Sequence, residues 1–358
     1  MENIDKKYMR RCLELAEHGR GAVSPNPLVG CVIVKDDKII SENYHRIFGG
    51  PHAEALAITN SSESVSGATL YVNLEPCCHE NKKTPPCVPS IIMNDIKRVV
   101  IANVDPNPEV KGKGIKILKE AGIEVVTGVS EKKGKQLNRF FFKYIKSRMP
   151  YVTLKIAKSL DGKINDDIGS QTQITGVEAN IFVHQQRSYY DAVMVGANTV
   201  GIDNPQLTVR HIEGRDPYRI VLDDELISPV ESQIFTDGNQ ASTWLFTRKD
   251  SNPEKINSLK KNGVRVIELQ TQYDGLLDLK EVLAILGEEN ISSLFVEGGQ
   301  RIFSEFIGQK LFDEIIFLST PKLFGKGLDA VKLTSTIELE LVSLDKLGDD
   351  IKSVFRKK

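Results

Sequence analysis

Four residues of the N-terminal half have the types and order of a metal-dependent catalytic site. They lie in three short runs, Pro51-His52-Ala53-Glu54, Glu75-Pro76-Cys77 and Thr84-Pro85-Pro86-Cys87. One imidazole and two thiolates form a ligand set suited to Zn²⁺. Three protein ligands leave the fourth tetrahedral position to water, whose pKa the metal lowers. Such a site also needs a group that moves a proton from the water to a leaving group.

Glu54 is the candidate for that proton transfer. It lies two residues from His52 at the predicted start of a helix, from where it reaches the metal site without being a ligand. A histidine and two cysteines on zinc, with a glutamate as acid and base, is the arrangement of zinc deaminases. The alternative is a closed structural zinc site with Cys78 or His79 as the fourth ligand. A closed site activates no water, so a carboxylate beside it would have no proton to transfer. The presence of Glu54 therefore favours the catalytic interpretation.

These motifs resemble the cytidine-deaminase superfamily, and within it the deaminase domain of bifunctional riboflavin-biosynthesis deaminase–reductases. A long loop ending in Thr-Pro-Pro-Cys is typical of that branch, and here nine residues separate the two cysteines. The resemblance implies one Zn²⁺ per chain, on His52, Cys77 and Cys87, with Glu54 as the catalytic acid and base. It also implies substrate contacts at Asn26, His45, Lys83 and Asn107. Asn26 and Asn107 lie in Pro-Asn-Pro segments, for which tight turns are the alternative interpretation.

The second half contains no Gly-x-Gly-x-x-Gly run after a strand, so the usual dinucleotide fingerprint is absent. Two predicted strands instead run into glycines, at Gly196-Ala197 and at Gly298-Gly299. Glycine at such turns lets backbone N–H groups approach a phosphate at a helix N-terminus. A binding site would then lie at the carboxyl ends of the strands. A plain strand-to-helix turn is the alternative at each position.

Segments of the second half resemble the reductase domain of the same bifunctional family. They are residues 150–162, 199–210, 296–299 and 321–323. The resemblance implies a dihydrofolate-reductase-like domain that uses NADPH. The implied contacts to the cofactor are Ala157, Thr199, Asp203 and Gly299. The implied contacts to the substrate are Ser170, Arg187, Leu207, Arg210 and Glu297. The implied catalytic residues are Lys155 and Glu297. Gln173 stands where the family commonly has a tryptophan.

Strands and helices alternate along both halves, which predicts an α/β fold. The expected strands are 28–34, 38–44, 68–74, 98–104, 124–126, 151–157, 192–195, 219–222, 242–246, 264–269, 294–297 and 314–319. The first half closes with one predicted helix over 131–147, and Met149-Pro150 interrupts it. We therefore expect a three-layer deaminase-like domain over residues 1–147 and a reductase-like domain over 148–358.

Composition narrows the class of protein. There are 47 lysines and arginines against 48 acidic residues, which offers no general attraction to nucleic acid or a membrane. No apolar run exceeds five residues and no signal peptide is recognisable, so we expect a cytoplasmic enzyme. All five cysteines precede residue 88, which favours a local metal site over a disulfide framework. We further expect a homo-oligomer, either a dimer or a tetramer.

The resulting hypothesis is a two-step enzyme of riboflavin biosynthesis. Its first half would deaminate a diaminopyrimidinone ribosyl phosphate, and its second half would reduce the ribosyl group to ribityl with NADPH. One alternative is a zinc-dependent nucleic-acid deaminase with an accessory domain, against which the balanced charge and the long cysteine loop argue. The other is a non-catalytic, zinc-stabilised regulatory protein, which only the altered loop and the missing tryptophan support.

Overall fold

The structure is a computed structural model that describes residues 3–79, 84–167, 172–239, 242–271 and 275–358. The chain divides into two compact units, Met1–Arg148 and Met149–Lys358. Within the described residues, no helix has both the length and the apolar character needed to cross a membrane.

The first unit is built on a five-stranded sheet. Its strands are β1 (Gly30–Lys35), β2 (Lys38–Tyr44), β3 (Thr69–Leu74), β4 (Arg98–Asn103) and β5 (Glu124–Thr127). The order across the sheet is β2-β1-β3-β4-β5; β1 is antiparallel to both its neighbours, and β3, β4 and β5 are parallel. The helices are α1 (Ile4–Glu17), α2 (Ala53–Thr59), α3 (Cys87–Met93), α4 (Lys113–Glu120), α5 (Glu131–Leu137) and α6 (Arg139–Ser147).

Alternation along the strands divides the core of this unit into two apolar layers. Ile33, Val72 and Ile101 pack on one face of the sheet with side chains of α2, α3 and α4. Val32 and Val100 pack on the other face with α1. The unit is therefore a three-layer α/β/α sandwich, and the carboxyl ends of β3 and β4 lie at one edge of its sheet.

Asn138 interrupts the single helix that the sequence predicts over 131–147. The structure has two helices there, α5 and α6, which meet at this residue. The Asn138 side chain accepts a hydrogen bond from the Leu28 N–H at 2.7 Å and donates one to the Leu28 carbonyl at 2.9 Å. The prediction was wrong because this contact spans more than 100 positions and leaves no local pattern.

The second unit contains a nine-stranded sheet. Its strands are β6 (Tyr151–Lys158), β7 (Ala192–Gly196), β8 (Tyr218–Leu222), β9 (Thr243–Arg248), β10 (Arg265–Leu269), β11 (Ser293–Val296), β12 (Glu314–Ser319), β13 (Leu339–Leu347) and β14 (Asp350–Lys357). The order is β10-β9-β8-β7-β11-β6-β12-β14-β13. The strands from β10 to β12 are parallel, whereas β14 is antiparallel to both β12 and β13.

The helices of the second unit connect its parallel strands. They are α7 (Val177–Tyr189), α8 (Ala197–Asp203), α9 (Pro253–Lys261), α10 (Leu279–Glu288) and α11 (Gln300–Gly308). Val152, Leu154 and Ile156 of β6 face the apolar side chains of α10 and α11. Side chains alternate along a strand, so Lys155 lies on the opposite face of β6. Trp244 belongs to the apolar core, as the sequence indicates.

Two strands of the second unit were not predicted, whereas helix α8 follows the strand-to-helix turn that the sequence indicates at Gly196-Ala197. Strands β13 and β14 form a C-terminal hairpin that has no counterpart in the predicted strands. The register of this hairpin shifts between Leu341 and Ser343, which breaks the two-residue alternation that identifies a strand.

Candidate active sites

The proposed zinc ligands converge at the amino ends of two helices. His52 is the N-cap residue of α2, Cys87 is the first residue of α3, and Cys77 lies three residues beyond β3. The His52 Nδ1 atom is 3.4 Å from the Sγ atom of each cysteine. Tetrahedral zinc with ordinary bond lengths places nitrogen and sulfur ligands about 3.5 Å apart. The donor set and its spacing therefore fit Zn²⁺.

Second contacts orient two of these ligands. Thr84 places its Oγ1 atom 3.1 Å from His52 Nε2, so the ring nitrogen that faces away from the cysteines has a polar partner. The Cys87 backbone N–H donates to Cys77 Sγ at 3.3 Å, which stabilises a thiolate. Partners of this kind fix the tautomer and direction of a metal-binding histidine. Thr84 was visible in the sequence motif, but its role as a second contact was not predicted.

Glu54 lies in the first turn of α2 and is buried. Its Oε2 atom has no hydrogen-bond partner among the described residues. Burial is the main cause that raises the pKa of Glu54 above its ordinary value, and the nearby Cys77 adds to the rise. A buried carboxylate with one unsatisfied oxygen beside a metal-ligand cluster is suited to accept and return a proton.

A closed four-ligand zinc site receives no support from the geometry. Within the described part of the chain, the ligand cluster comprises His52, Cys77 and Cys87 alone. Cys78 packs instead against the apolar layer between the sheet and α2–α4. The His79 Nδ1 atom is buried and has no partner among the described residues. A three-ligand cluster with an adjacent carboxylate matches the catalytic arrangement rather than the structural one.

The structure joins Asn26 to His45 beside this cluster. The His45 Nδ1–H donates to the Pro51 carbonyl at 3.0 Å, so Nε2 accepts from the Asn26 amide at 3.2 Å. Burial lowers the pKa of His45, which keeps its ring neutral. The His45 and His52 rings meet edge to face at 5.4 Å. His45 therefore fixes the Asn26 amide through its Nε2 atom while its ring contacts the metal ligand His52, a role that the sequence did not indicate.

Two buried asparagines hold the segment that carries Asn26. Asn73 accepts from the Gly30 N–H at 2.7 Å and donates to the Leu28 carbonyl at 2.8 Å. Asn138 binds the N–H and carbonyl of Leu28, as described above. A Cβ atom at Gly30 would lie 2.1 Å from the Cys12 carbonyl oxygen, so only glycine permits this approach of β1 to α1. Sequence reasoning missed both asparagines because neither belongs to a motif.

Asn107 lies in a tight turn held by Glu75. The Asn107 side chain accepts from the Glu109 N–H at 3.1 Å, and its own N–H donates to Asp105 at 2.8 Å. The buried Glu75 carboxylate accepts from the N–H groups of Asp105, Gly112 and Ile115. Asn107 itself stays a predicted substrate contact, and predicted Lys83 lies outside the described residues.

Three charged side chains form a buried network in the second unit. Arg187 of α7 pairs with Glu297 through two hydrogen bonds, at 2.5 and 3.0 Å. Lys155 of β6 approaches the same carboxylate at 3.2 Å. Burial alone would raise the pKa of Glu297, but the charges of Arg187 and Lys155 outweigh it and lower the pKa to about 2. Glu297 is therefore a fixed anion at the end of β11.

A cavity of about 950 Å³ opens at the carboxyl ends of the parallel strands. All four predicted cofactor contacts line it, namely Ala157, Thr199, Asp203 and Gly299. Gly299 has a φ of +91°, and a Cβ atom at Gly298 would lie 2.9 Å from Thr199 Oγ1. The turn after β11 thus requires glycine and exposes its backbone to the cavity. Gln173, at the position of the missing tryptophan, lines the same cavity.

A second cavity of about 370 Å³ adjoins the first, and Thr172 and Asp203 line both. Arg187, Leu207 and Arg210 line this smaller cavity, whereas predicted Ser170 lies outside the described residues. Arg187 also donates to the Thr208 carbonyl at 3.1 Å. The structure thus brings both predicted arginines to one cavity, with the Arg187 guanidinium already engaged by Glu297.

Two further residues hold the loop of the smaller cavity. Arg219 is buried, pairs with Asp237 and donates to the Gln206 carbonyl at 3.1 Å. The buried His184 accepts from the Arg210 backbone N–H at 3.1 Å through Nδ1. Burial, with Arg187 as the next cause, lowers the pKa of His184 to about 4, so its ring is neutral. Neither residue is in a motif, so sequence reasoning missed them.

The two sites define a protein that joins a zinc-type deaminase domain to a reductase domain. Residues 2–103 match the cytidine and deoxycytidylate deaminase zinc-binding region. Residues 150–353 match the RibD C-terminal domain.

The chain belongs to the RibD family of riboflavin-biosynthesis proteins. It is 41% identical to RibD of Aquifex aeolicus over all of the chain and 99% of that relative, and 40% identical to RibD of Bacillus amyloliquefaciens over 98% of the chain and 95% of that relative. The structure of Acinetobacter baumannii RibD superposes with a TM-score of 0.89 at 35% identity, covering 99% of both chains. A Thermotoga maritima structure superposes with a TM-score of 0.87 at 38% identity, again over 99% of both chains.

Membership of this family confirms several predictions. The chain is a bifunctional deaminase and reductase of riboflavin biosynthesis, with a small-molecule pyrimidine substrate. The α/β fold class is confirmed, as are zinc and NADPH as the cofactors of the two activities. The roles of individual residues, and the boundary between the two domains, stay predictions.

Proposed function

We propose that residues 1–147 deaminate 2,5-diamino-6-ribosylamino-4(3H)-pyrimidinone 5′-phosphate and that residues 148–358 reduce the product. The Thermotoga maritima relative is described as a diaminohydroxyphosphoribosylaminopyrimidine deaminase and 5-amino-6-(5-phosphoribosylamino)uracil reductase. The observation that carries the proposal is the three-ligand cluster beside the buried Glu54, whose Oε2 atom has no hydrogen-bond partner among the described residues. That combination supplies a metal site and an adjacent proton carrier.

His52, Cys77 and Cys87 would hold the zinc ion of the deaminase. When bound, zinc supplies a Lewis acid that makes a water molecule nucleophilic near neutral pH. Glu54 takes a proton from the attacking water and returns it to the departing amine. The carbon–nitrogen bond to the amino group breaks, a carbonyl forms at that carbon, and ammonia leaves. Water is the only other reactant.

Asn26 is the proposed contact to the pyrimidine ring. His45 fixes the direction of its amide, and Asn73 and Asn138 fix its backbone segment. Asn107 presents a second amide on the turn that Glu75 anchors. Lys83 is the proposed partner of the substrate phosphate, for which its charge is suited.

In the second unit, Ala157, Thr199, Asp203 and the Gly299 turn would hold NADPH, which supplies a hydride when bound. The substrate reacts as its ring-opened imine, in which the former ring oxygen is a hydroxyl group. Hydride adds to the first ribose carbon, and the imine nitrogen takes a proton, which leaves a ribityl amine. Lys155 is the proposed source of that proton, and the fixed anion Glu297 holds the ammonium group in place.

The smaller cavity is the proposed site of the ribose phosphate. Arg210 is the cation on its wall that has a neutral partner, the Gln206 amide, and Leu207 lies on the loop that Arg219 and His184 hold. Arg187 contributes positive charge there but is engaged by Glu297, so it also positions the catalytic carboxylate. Ser170 is proposed as a further phosphate contact.

We also propose a cytoplasmic homo-oligomer, either a dimer or a tetramer. All five cysteines lie among the described residues and none forms a disulfide bond, which suits a reducing compartment. The edge strand β13 exposes Leu341, Val342 and Leu344, which a second copy could cover. Light scattering of the purified chain distinguishes a dimer or a tetramer from a monomer, which would contradict the proposal.

The variant Glu54→Gln tests the deaminase assignment. The amide cannot carry the proton, so ammonia release should fall by at least about 100-fold. Zinc content by metal analysis should stay at one ion per chain, because Glu54 is not a ligand. Retained deamination would contradict the role of Glu54. Deamination of single-stranded DNA by the wild-type chain would instead favour the nucleic-acid alternative.

A further inference from the structure

The residues that line the large cavity lie along it in the order of the strands across the sheet. Lys155 and Ala157 of β6 lie at one end, the glycine turns after β11 and β7 lie in the middle, and Asp223-Asp224-Glu225 after β8 lie at the other end. The smaller cavity joins the large one at Asp203 and Thr172. A dinucleotide that meets the substrate there has its pyrophosphate at the glycine turns. Its adenosine must therefore lie at the end of β8.

An ion pair occupies the adenosine end. The Asp224 carboxylate pairs with Arg301 of α11 and accepts a hydrogen bond from the Leu277 N–H at 3.2 Å. The Asp224 side chain is 16% exposed and that of Arg301 is 54% exposed. The neighbouring Asp223 does not take part in this ion pair. Its carboxylate accepts hydrogen bonds from the backbone N–H groups of Ile227 and Ser228, each at 2.8 Å.

Within the described part of the chain, Arg301 is the one cation that lines this end of the cavity. Among the described residues that line the large cavity, Lys155 and Arg301 are the only cations, and Lys155 lies at the opposite end. NADPH differs from NADH by a phosphate on the adenosine ribose, in place of a hydroxyl group. An arginine accommodates that phosphate, whereas a carboxylate favours the hydroxyl group.

Resting on the proposed NADPH-dependent reductase, we infer that Asp224 sets the cofactor specificity of this site and makes it accept NADH about as well as NADPH. To bind the 2′-phosphate, Arg301 must either leave Asp224 or bring the phosphate beside a carboxylate of the same sign. Either alternative offsets much of the binding free energy that the ion pair between Arg301 and the phosphate would supply. The 2′-hydroxyl of NADH incurs neither penalty and can donate to Asp224.

Binding of adenosine fragments to the intact chain tests this inference without turnover. Isothermal titration would compare 2′,5′-ADP with 5′-ADP, and NADPH with NADH. In the wild-type chain, we expect the two members of each pair to bind within about threefold of one another, well below the tenfold that corresponds to 1.4 kcal/mol.

The variant Asp224→Asn removes the charge but keeps an oxygen for Leu277. It should lower the dissociation constants of 2′,5′-ADP and NADPH by at least about tenfold, and it should change the dissociation constant of 5′-ADP little. In the wild-type chain, Arg301→Gln should change the affinity for 2′,5′-ADP and NADPH little. In the Asp224→Asn background, the same substitution should abolish the increase in affinity. A double-mutant cycle measures this coupling between the two residues. Glu289→Gln is the matched control, because it frees Arg265 from a surface pair outside the cavity lining.

Two results would overturn the inference. One is a wild-type preference for 2′,5′-ADP above about tenfold, and the other is an unchanged preference in Asp224→Asn. Either result leaves the reductase assignment standing, because the chain would still bind and oxidise NADPH. Failure to bind NADPH or NADH at all would overturn the reductase assignment and the inference together.

Discussion

The pKa values of two buried carboxylates, Glu54 and Glu297, are shifted in opposite directions because their neighbours differ. Glu54 has an oxygen without a partner among the described residues, and burial raises its pKa, which suits a group that exchanges a proton. Glu297 has two cationic partners that hold its pKa at about 2, which suits a fixed anion. Residue type alone does not separate these roles; the environment of each carboxylate does.

Cys87→Ser should abolish zinc binding and ammonia release while the reductase still oxidises NADPH on the deaminated substrate. The hydroxyl group of serine is a poor replacement for a thiolate ligand. Cys78→Ser is the matched control, since Cys78 lies next to Cys77 but outside the ligand cluster. Metal analysis and an ammonia assay measure both variants. Full zinc occupancy in Cys87→Ser would contradict the ligand assignment.

Glu297→Gln should lower the free energy of unfolding by about 3–5 kcal/mol, because it leaves buried cationic groups without their anion. The ion pairs act only while Glu297 is charged. Since its pKa is about 2 in the folded chain and near 4.5 when unfolded, their contribution is present above pH 4.5 and is lost as the pH falls toward 2. Urea unfolding at pH 7 and pH 3.5 measures both effects. Glu289→Gln, in an exposed pair, should change stability by less than about 1 kcal/mol.

At the scale of elements, loops carry the chemistry and buried polar side chains from distant elements hold the loops. Asn73 of β3 and Asn138 between α5 and α6 hold the segment with Asn26. His184 of α7 and Arg219 of β8 hold the segment with Arg210. Each anchor forms a hydrogen bond with a backbone group of the segment that it holds.

His184→Asn should preserve reductase activity, because an asparagine oxygen can replace Nδ1 as the acceptor for the Arg210 N–H. His184→Ala should raise KM for the deaminated phosphate more than it lowers kcat, since the loop with Arg210 loses its anchor. His184→Gln, whose oxygen lies one carbon further out, is the matched control and should resemble alanine. Equal kinetics in all three variants would contradict a positioning role.

The same residue makes stability depend on pH. Because the pKa of His184 is about 4 in the folded chain and near 6.5 when unfolded, only the unfolded chain takes up the proton between those values. Stability therefore falls as the pH falls from 6.5 to 4. His184→Asn should reduce that decline, measured as the free energy of unfolding at pH 7 and pH 5. An unchanged decline would show that His184 does not cause it.

Motif residues could be predicted from the sequence, whereas their anchors could not. His52, Glu54, Cys77 and Cys87 were recognisable because their types and order are rare outside metal sites. The bounds of the predicted strands agree with the structure to within about two residues, and those of β2 and β12 agree fully. The split between α5 and α6 and the roles of Glu75 and His184 depend on contacts between distant segments. Such contacts leave no periodic pattern in the chain.

At the scale of the whole molecule, two α/β units each place a site at the carboxyl ends of parallel strands. In the first unit these ends present Cys77 and the turn with Asn107, and in the second they present Glu297 and the glycine turns. In the proposed assignment, the first site releases ammonia and the second consumes NADPH. A single chain with both sites should therefore carry out the two reactions in a fixed order on one substrate.

The stoichiometry of these two reactions is the decisive measurement for a chain that deaminates first and reduces second. The intact, zinc-loaded chain would receive the diaminopyrimidinone ribosyl phosphate with NADPH, and ammonia and NADPH would be followed together in time. We expect one ammonia released and one NADPH oxidised per substrate, with ammonia first, and ammonia alone when NADPH is omitted. Oxidation of NADPH before or without release of ammonia would contradict the account.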